Sequence, residues 1–125
     1  MKAKTTERGW AGHFICANRC RFRRNTLVEY GDIKIVVSTV GLMEDWKGDK
    51  YNTEKFETIG FERYYETMCF YANQDDTKYY DANVSREVSF DSEWAIGEID
   101  KEVEANVMHD TVVREICSKL KSGDL

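Results

Sequence analysis

Hydrophobic and polar residues alternate over much of residues 10–90, and the pattern changes to a helical period toward the end of the 125-residue chain. Alternation with period two marks strands, because successive side chains point to opposite faces of a sheet. It predicts strands at about 10–16, 20–30, 33–41, 61–71 and 78–90. In "EYGDIK", Gly31-Asp32 separates two apolar runs and predicts a hairpin turn. "YANQDDTKYY" predicts a second hairpin that turns at Asn73 to Thr77. Residues 42–60, "LMEDWKGDKYNTEKFETIG", are mostly polar and predict a long loop or excursion. Residues 1–8 predict a flexible tail.

Residues 100–121 read as a helix, with Asp100 at the N-cap and Gly123 just past the end. Met108, Val112, Ile116 and Leu120 form one i, i+4 row, and Val103, Val107 and Val113 widen the apolar arc. An arc this wide fits either deep packing on the sheet or one side on the sheet and one on a partner subunit. "SEWAIGE", from Ser92 to Glu98, predicts a short turn or helix ahead of it. The elements add up to an α+β domain over residues 1–125: an antiparallel sheet of about five strands followed by one or two C-terminal helices.

Parity sorts the strand residues by face. In the second strand Cys20, Phe22, Arg24, Thr26, Val28 and Tyr30 form the apolar face, and Arg19, Arg21, Arg23, Asn25, Leu27 and Glu29 the polar one. In the last strand Tyr80, Ala82, Val84, Arg86, Val88 and Phe90 form the core face, and Asp81, Asn83, Ser85, Glu87 and Ser89 the polar face. Arg24 and Arg86 therefore interrupt apolar faces. Burying a guanidinium without a partner costs several kcal/mol. Either these two arginines pair with acids inside the fold, Glu66 being one candidate, or they reach a cleft and hold an anion. Arginine suits the second task because its planar fork binds phosphate oxygens in pairs.

Charge adds a second asymmetry. The chain carries a net −5, yet residues 1–24 hold seven lysines and arginines against Glu7 alone, a net of +6. The remaining residues hold eleven positive and twenty-two negative side chains, a net of −11. A local anion site on an acidic body fits this distribution, and a duplex-DNA binder with a broad basic face does not. Composition is that of a soluble globular chain, at 42% hydrophobic and 33% charged residues. No apolar run approaches the roughly 18 residues of a membrane span and no secretory h-region follows "MKAKTTERGW", so a cytoplasmic location is expected. In that compartment Cys16, Cys20, Cys69 and Cys117 are expected to be reduced thiols.

Catalytic and metal signatures are missing from the sequence. It contains neither G-x-G-x-x-G nor a Walker loop. His13-x-x-Cys16-x-x-x-Cys20 has metal-like spacing, but on a strand His13 and Cys16 point to opposite faces, so no metal is expected. His109, beside Asp110, reads as a surface histidine. Aromatic residues lie near or between the basic strands, and together with arginines they are the ingredients for stacking a base and holding its phosphates.

The stretches "RGWAGHFICANRCRFRRNTLVEY", "IVVSTVG", "RYYETM" and "DANVSREVSFDSEW" span most of residues 8–94. They resemble a family of small phage and prophage proteins, the first Thoeris anti-defence family. The resemblance implies a non-enzymatic sponge that sequesters cyclic ADP-ribose isomers made by bacterial TIR immune enzymes. It also implies homo-oligomers, and in some members binding of cyclic oligonucleotides. The shared stretches are not catalytic signatures and assign no pocket residues, so the candidate site rests on chemistry. Arg21, Arg23, Arg24 and Arg86 are the candidates to hold phosphates. Trp10, Phe22, Phe90 and Trp94 are the candidates to stack on a base, and Asn25 and Asn83 to read sugar or base edges. No cofactor is expected. The partners expected are a small nucleotide and further copies of this chain, with neither a membrane nor a nucleic acid. The competing readings are a protein-directed inhibitor or interaction module, and a single-stranded nucleic-acid binder using Arg19, Arg21 and Arg23.

Overall fold

The computed structural model describes residues 2–9, 13, 17–47, 50–60, 62–75, 79–88 and 94–125, with the backbone alone at 17, 45–47 and 50–55. Its elements are strands β1 (Lys4–Glu7), β2 (Cys20–Tyr30), β3 (Ile33–Lys47), β4 (Lys50–Glu57), β5 (Tyr65–Ala72), β6 (Ala82–Val88) and β7 (Trp94–Ile96), then helix α1 (Glu102–Ser122). The seven strands make one antiparallel sheet in the order β1-β2-β3-β5-β6. Strand β4 pairs with the far end of β3, and β7 shares the outer edge of β5 with β6. The fold is α+β as expected, with two strands more than expected and a single α-helix among the described residues, besides a 3-10 turn at Ala17–Arg19.

The central strand explains why the sheet is buried on both sides. Residues 35–42 of β3, "IVVSTVGL", are buried without a break. Ile35 and Val37 face the helix and pack with Val28, Cys69, Val88, Val112, Ile116 and Leu120. Val36 packs on the other side with Leu27 and Ala72, beneath Tyr80 and Ala82. Val40 shares that side with Cys20 and Ile59. A strand covered on both faces loses strict alternation and reads as a continuous apolar run.

The α1 row of Met108, Val112, Ile116 and Leu120 is buried as its spacing predicts. Each such side chain contributes about 2 kcal/mol by leaving water. The rest of the arc divides: Val113 packs against the same core, whereas Val103 is 73% and Val107 58% exposed. The helix begins two residues later than expected. Asp100 has φ +57° and does not cap it, and Lys101 stands at the N-cap without a side-chain bond. The C-terminus follows expectation. Gly123 adopts φ +82°, its N–H donates to the Leu120 carbonyl, and the Asp124 N–H donates to that of Lys119. This double closure needs a left-handed residue, which glycine supplies without steric cost.

Four expectations change. Residues 4–7, expected in the flexible tail, form edge strand β1 against β2, with Glu7 opposite Thr26. The excursion expected over 42–60 contains the β3–β4 hairpin, closed by the pair Lys47 and Lys50. The last strand does not present a continuous core face. β6 meets β5 at Cys69–Val88 and Phe70–Glu87 and again at Ala72–Ala82, with a register shift between, so Val84 and Arg86 are exposed. An edge strand that bulges from its only neighbour no longer sorts residues by parity. The segment expected as a turn or helix before α1 contributes strand β7. The strand expected at about 10–16 lies outside the described residues except for His13.

Gly41 marks the closest approach in the sheet. It pairs with Tyr65, and a Cβ added there would lie 2.2 Å from the Tyr65 ring. That ring is fully buried, and its hydroxyl accepts the Lys101 N–H at the start of α1 over 3.2 Å. Gly41→Ala therefore displaces the ring and loosens the helix start together. The expected cost is about 2 kcal/mol or more, read as a fall in Tm of roughly 5–10 °C by calorimetry. An unchanged Tm would contradict the close packing.

Candidate functional site

The arginine-rich stretch over residues 18–25 is largely neutralised by the protein's own acids. Arg19 donates to the Glu44 carbonyl and, over 2.8 Å, to the Glu57 carboxylate. Arg21 lies 5.0 Å from the centre of the Phe56 ring and 3.5 Å from the Glu44 carboxylate. Arg24 grips both oxygens of Glu7 at 3.1 and 3.0 Å and adds Asp110 at 2.9 Å. Parity separates Arg24 from Arg23 as expected, since Arg24 pairs across the ladder with Thr39 and Arg23 with Val40. Of the two outcomes the sequence leaves open for Arg24, the structure shows the ion pair.

Beneath Arg24 lies a buried polar chain that joins helix to sheet. His109, read from sequence as a surface residue, is fully buried on the inner side of α1. Its Nε2 lies 2.7 Å from Thr26 Oγ1, and its Nδ1 lies 2.6 Å from Thr39 Oγ1. Thr39 is in turn 2.6 Å from Thr67 Oγ1. The Thr26 hydroxyl donates to Glu7 Oε2 over 2.8 Å. A carboxylate only accepts, so the direction of the whole chain follows. Thr26 uses its single proton on Glu7 and accepts from His109 Nε2–H. Nδ1 then accepts from Thr39, and Thr39 accepts from Thr67. Burial pushes the His109 pKa down to about 4, with the Arg24 charge acting in the same sense and Glu7 and Asp110 opposing it. Partial burial alone would raise the Glu7 carboxyl, but hydrogen bonds from Arg24 and Thr26 hold it below its ordinary value.

On the opposite face His13 Nε2 lies 2.8 Å from Glu66 Oε1, and Nδ1 lies 2.9 Å from Ser38 Oγ. A neutral imidazole here donates to the carboxylate and accepts from the serine. The connectivity is that of a Ser-His-acid triad, which sequence spacing did not reveal. Ser38 is completely buried in the middle of β3, unlike an accessible nucleophile. Glu66 also meets Arg63 at 3.5 Å. It is thus the partner of His13 and Arg63, and not of Arg24 or Arg86.

The remaining expected site residues are dispersed. Phe22 meets Tyr65 edge-on under the helix, with ring centroids 5.7 Å apart. Trp94 packs into the helix-side core, and its buried indole N–H has no hydrogen-bond partner among the described residues. Asn25 is buried and accepts from Arg8 Nε over 2.9 Å. Asn83 accepts from the Ser85 hydroxyl over 2.6 Å. Trp10 and Phe90 lie outside the described residues. The Cys69 and Cys117 thiols are free, and burial raises the pKa of both. No described cluster of His, Cys, Asp or Glu could hold a metal ion, and no described helix is long and apolar enough to cross a membrane.

Arg86 leads to an arrangement, among the described residues, that is suited to an outside anion. A cavity of about 330 Å³ opens where the two hairpin ends adjoin, lined by Asp32, Lys34, Tyr71, Gln74, Tyr80 and Arg86 among others. The Arg86 guanidinium lies 4.8 Å from the centre of the Tyr71 ring. The Lys34 ammonium lies 4.8 Å from that of Tyr80. Among the described residues neither cation makes an ion pair or a hydrogen bond. The sequence singled out Arg86 but not Lys34, Tyr71, Tyr80 or Gln74. They flank the turns of two separate hairpins, and only the pairing of Ile35 with Tyr71 brings those ends together.

The buried imidazole gives a pH signature. Its folded-state pKa of about 4 lies below the ordinary 6.5, so the unfolded chain takes up the proton first as pH falls. The stability tied to neutral His109 is complete above pH 6.5 and is lost progressively down to about pH 4. The loss is expected to reach about 3 kcal/mol. His109→Gln should flatten urea-derived stability across this window, and an unchanged slope in the variant would contradict the assignment.

No family model matches the chain, and no curated protein or solved structure is similar enough to show kinship.

Proposed function

We propose that the protein is a non-catalytic receptor that binds a small nucleotide-derived anion between Lys34 and Arg86 and releases it unchanged. The observation that carries this reading is the pair of cations at one cavity, each set over a tyrosine ring and neither ion-paired among the described residues. Every other arginine for which a partner has been given meets a carboxylate, a carbonyl or an amide of this chain. The cavity is of the size that takes part of a small ligand. An arginine that rests on an aromatic face keeps its fork available for phosphate oxygens and loses less freedom on binding. Gln74 adds an amide able to meet either a phosphate or a sugar hydroxyl.

The resemblance to the Thoeris anti-defence proteins narrows the proposed ligand to a cyclic ADP-ribose isomer or a cyclic oligonucleotide. It makes sequestration of an immune signal in a bacterial cytoplasm the proposed role. The same reading includes a homo-oligomer. Ile99, Val103 and Val107 are exposed apolar side chains at and just before the start of α1, which a second copy would cover. Light scattering at micromolar concentration should then give more than the mass of one chain, and a single-chain mass would remove the oligomer from the reading.

Calorimetry with cyclic ADP-ribose isomers and cyclic di- and trinucleotides tests the site. Lys34→Ala and Arg86→Ala should each weaken binding about tenfold or more with Tm unchanged. Arg24→Ala should do the opposite, lowering Tm and leaving affinity within about twofold. Ligand recovered after heating should be chemically intact. Altered ligand would make the protein an enzyme. Oligonucleotide binding with steep salt dependence, and none of these small ligands bound, would make it a single-strand binder.

A further inference from the structure

The Lys34–Arg86 cavity shares a wall with a second one. A larger cavity, about 490 Å³, is also lined by Tyr80, together with Leu27 and Tyr79. The two differ in charge. The first holds two cations against Asp32. The second balances Lys4 and Arg8 against Glu29 and Asp81. Its cations are also engaged: Lys4 lies 3.9 Å from Glu29, and Arg8 Nη1 donates to the carbonyls of Tyr79 and Tyr80. A phosphate would meet two carboxylates there. A flat neutral group with donors of its own would meet acceptors at Glu29 and Asp81, an apolar side chain at Leu27, and a ring at Tyr79 that is 62% exposed.

We propose that the two cavities are halves of one site, with diphosphate in the first and the attached base and ribose in the second. This inference rests on the anion-receptor reading above. The ligand class is a nucleoside diphosphate unit, and Tyr80 is the divider that its ribose–phosphate junction crosses. The divider is held from outside the first cavity. Tyr80 has φ +48°, a left-handed backbone that L-residues disfavour. Arg8 fastens this backbone through the two carbonyls and is itself fixed by Asn25, which accepts its Nε–H over 2.9 Å. The position of Tyr80 also sets that of Lys34, which lies over its ring.

Calorimetry on the full chain with ADP, pyrophosphate and adenosine separates the halves. ADP should bind more tightly than either fragment. Tyr79→Ala, which removes the stacking ring, should weaken ADP about fivefold or more and leave pyrophosphate within about twofold. Thr6→Trp, which fills the second cavity from β1, should do the same. Arg86→Ala should weaken ADP and pyrophosphate together. If Tyr79→Ala and Thr6→Trp leave ADP binding unchanged while Arg86→Ala abolishes it, the site has one cavity and the inference fails while the receptor reading stands. If neither ADP nor pyrophosphate binds while a cyclic ADP-ribose isomer does, the inference fails and the receptor reading stands; if none of the three binds, both fail.

Discussion

One buried imidazole holds the helix to the sheet in a single position. The apolar row of α1 supplies most of the attraction, but such packing is non-directional and tolerates a helix that slides or rotates. His109 removes that freedom, because Nε2 must reach Thr26 on β2 while Nδ1 reaches Thr39 on β3. The chain continues to Thr67 on β5 and to Glu7 on β1, so four strands and the helix share one polar network. A buried network of this kind is costly if any member is left unpaired and rigid when all are satisfied. Arg24 finishes it by holding Glu7 and reaching Asp110 on the helix.

That closure decides where ligand chemistry can lie. On the helix side, Phe22, Arg24, Tyr65 and Trp94 are all engaged in packing or ion pairs. On the opposite face, Ser38, His13 and Glu66 satisfy one another, with Ser38 completely buried. Among the described residues, the end of the sheet where two hairpins meet is different. There the acidic body leaves two cations without an ion pair among the described residues, each set over a tyrosine ring. The functional proposal follows from this division between internally satisfied charge and charge left for a partner.

Local signals were legible in the sequence. β2 occupies the expected residues 20–30, and β3 begins after Gly31-Asp32 where the turn predicted it. Gly123 closes α1 as glycine at that position should. β1 was missed because its pattern records no buried face: "KTTE" is exposed throughout. β4 was missed because its mostly polar sequence, "KYNTEKFE", reads as part of a loop. His109 could have been found. Helical spacing places it on the face of Ala105, Val112 and Ile116, but its polar identity outweighed its position. The candidate site was mostly illegible for a different reason. Arg86 was visible as an arginine on an apolar strand, whereas Lys34, Tyr71 and Tyr80 join it only through the β3–β5–β6 order. Parity within single strands does not encode that order.

Tyrosine-selective NMR during titration with cyclic ADP-ribose tests the central claim most directly, because it reads each ring separately. Tyr71 and Tyr80 flank the Lys34–Arg86 cavity, while Tyr65 is sealed beneath α1. The account predicts saturable shifts at Tyr71 and Tyr80 with Tyr65 unmoved. A shift at Tyr65 with Tyr71 and Tyr80 unchanged would place the ligand under the helix and contradict it.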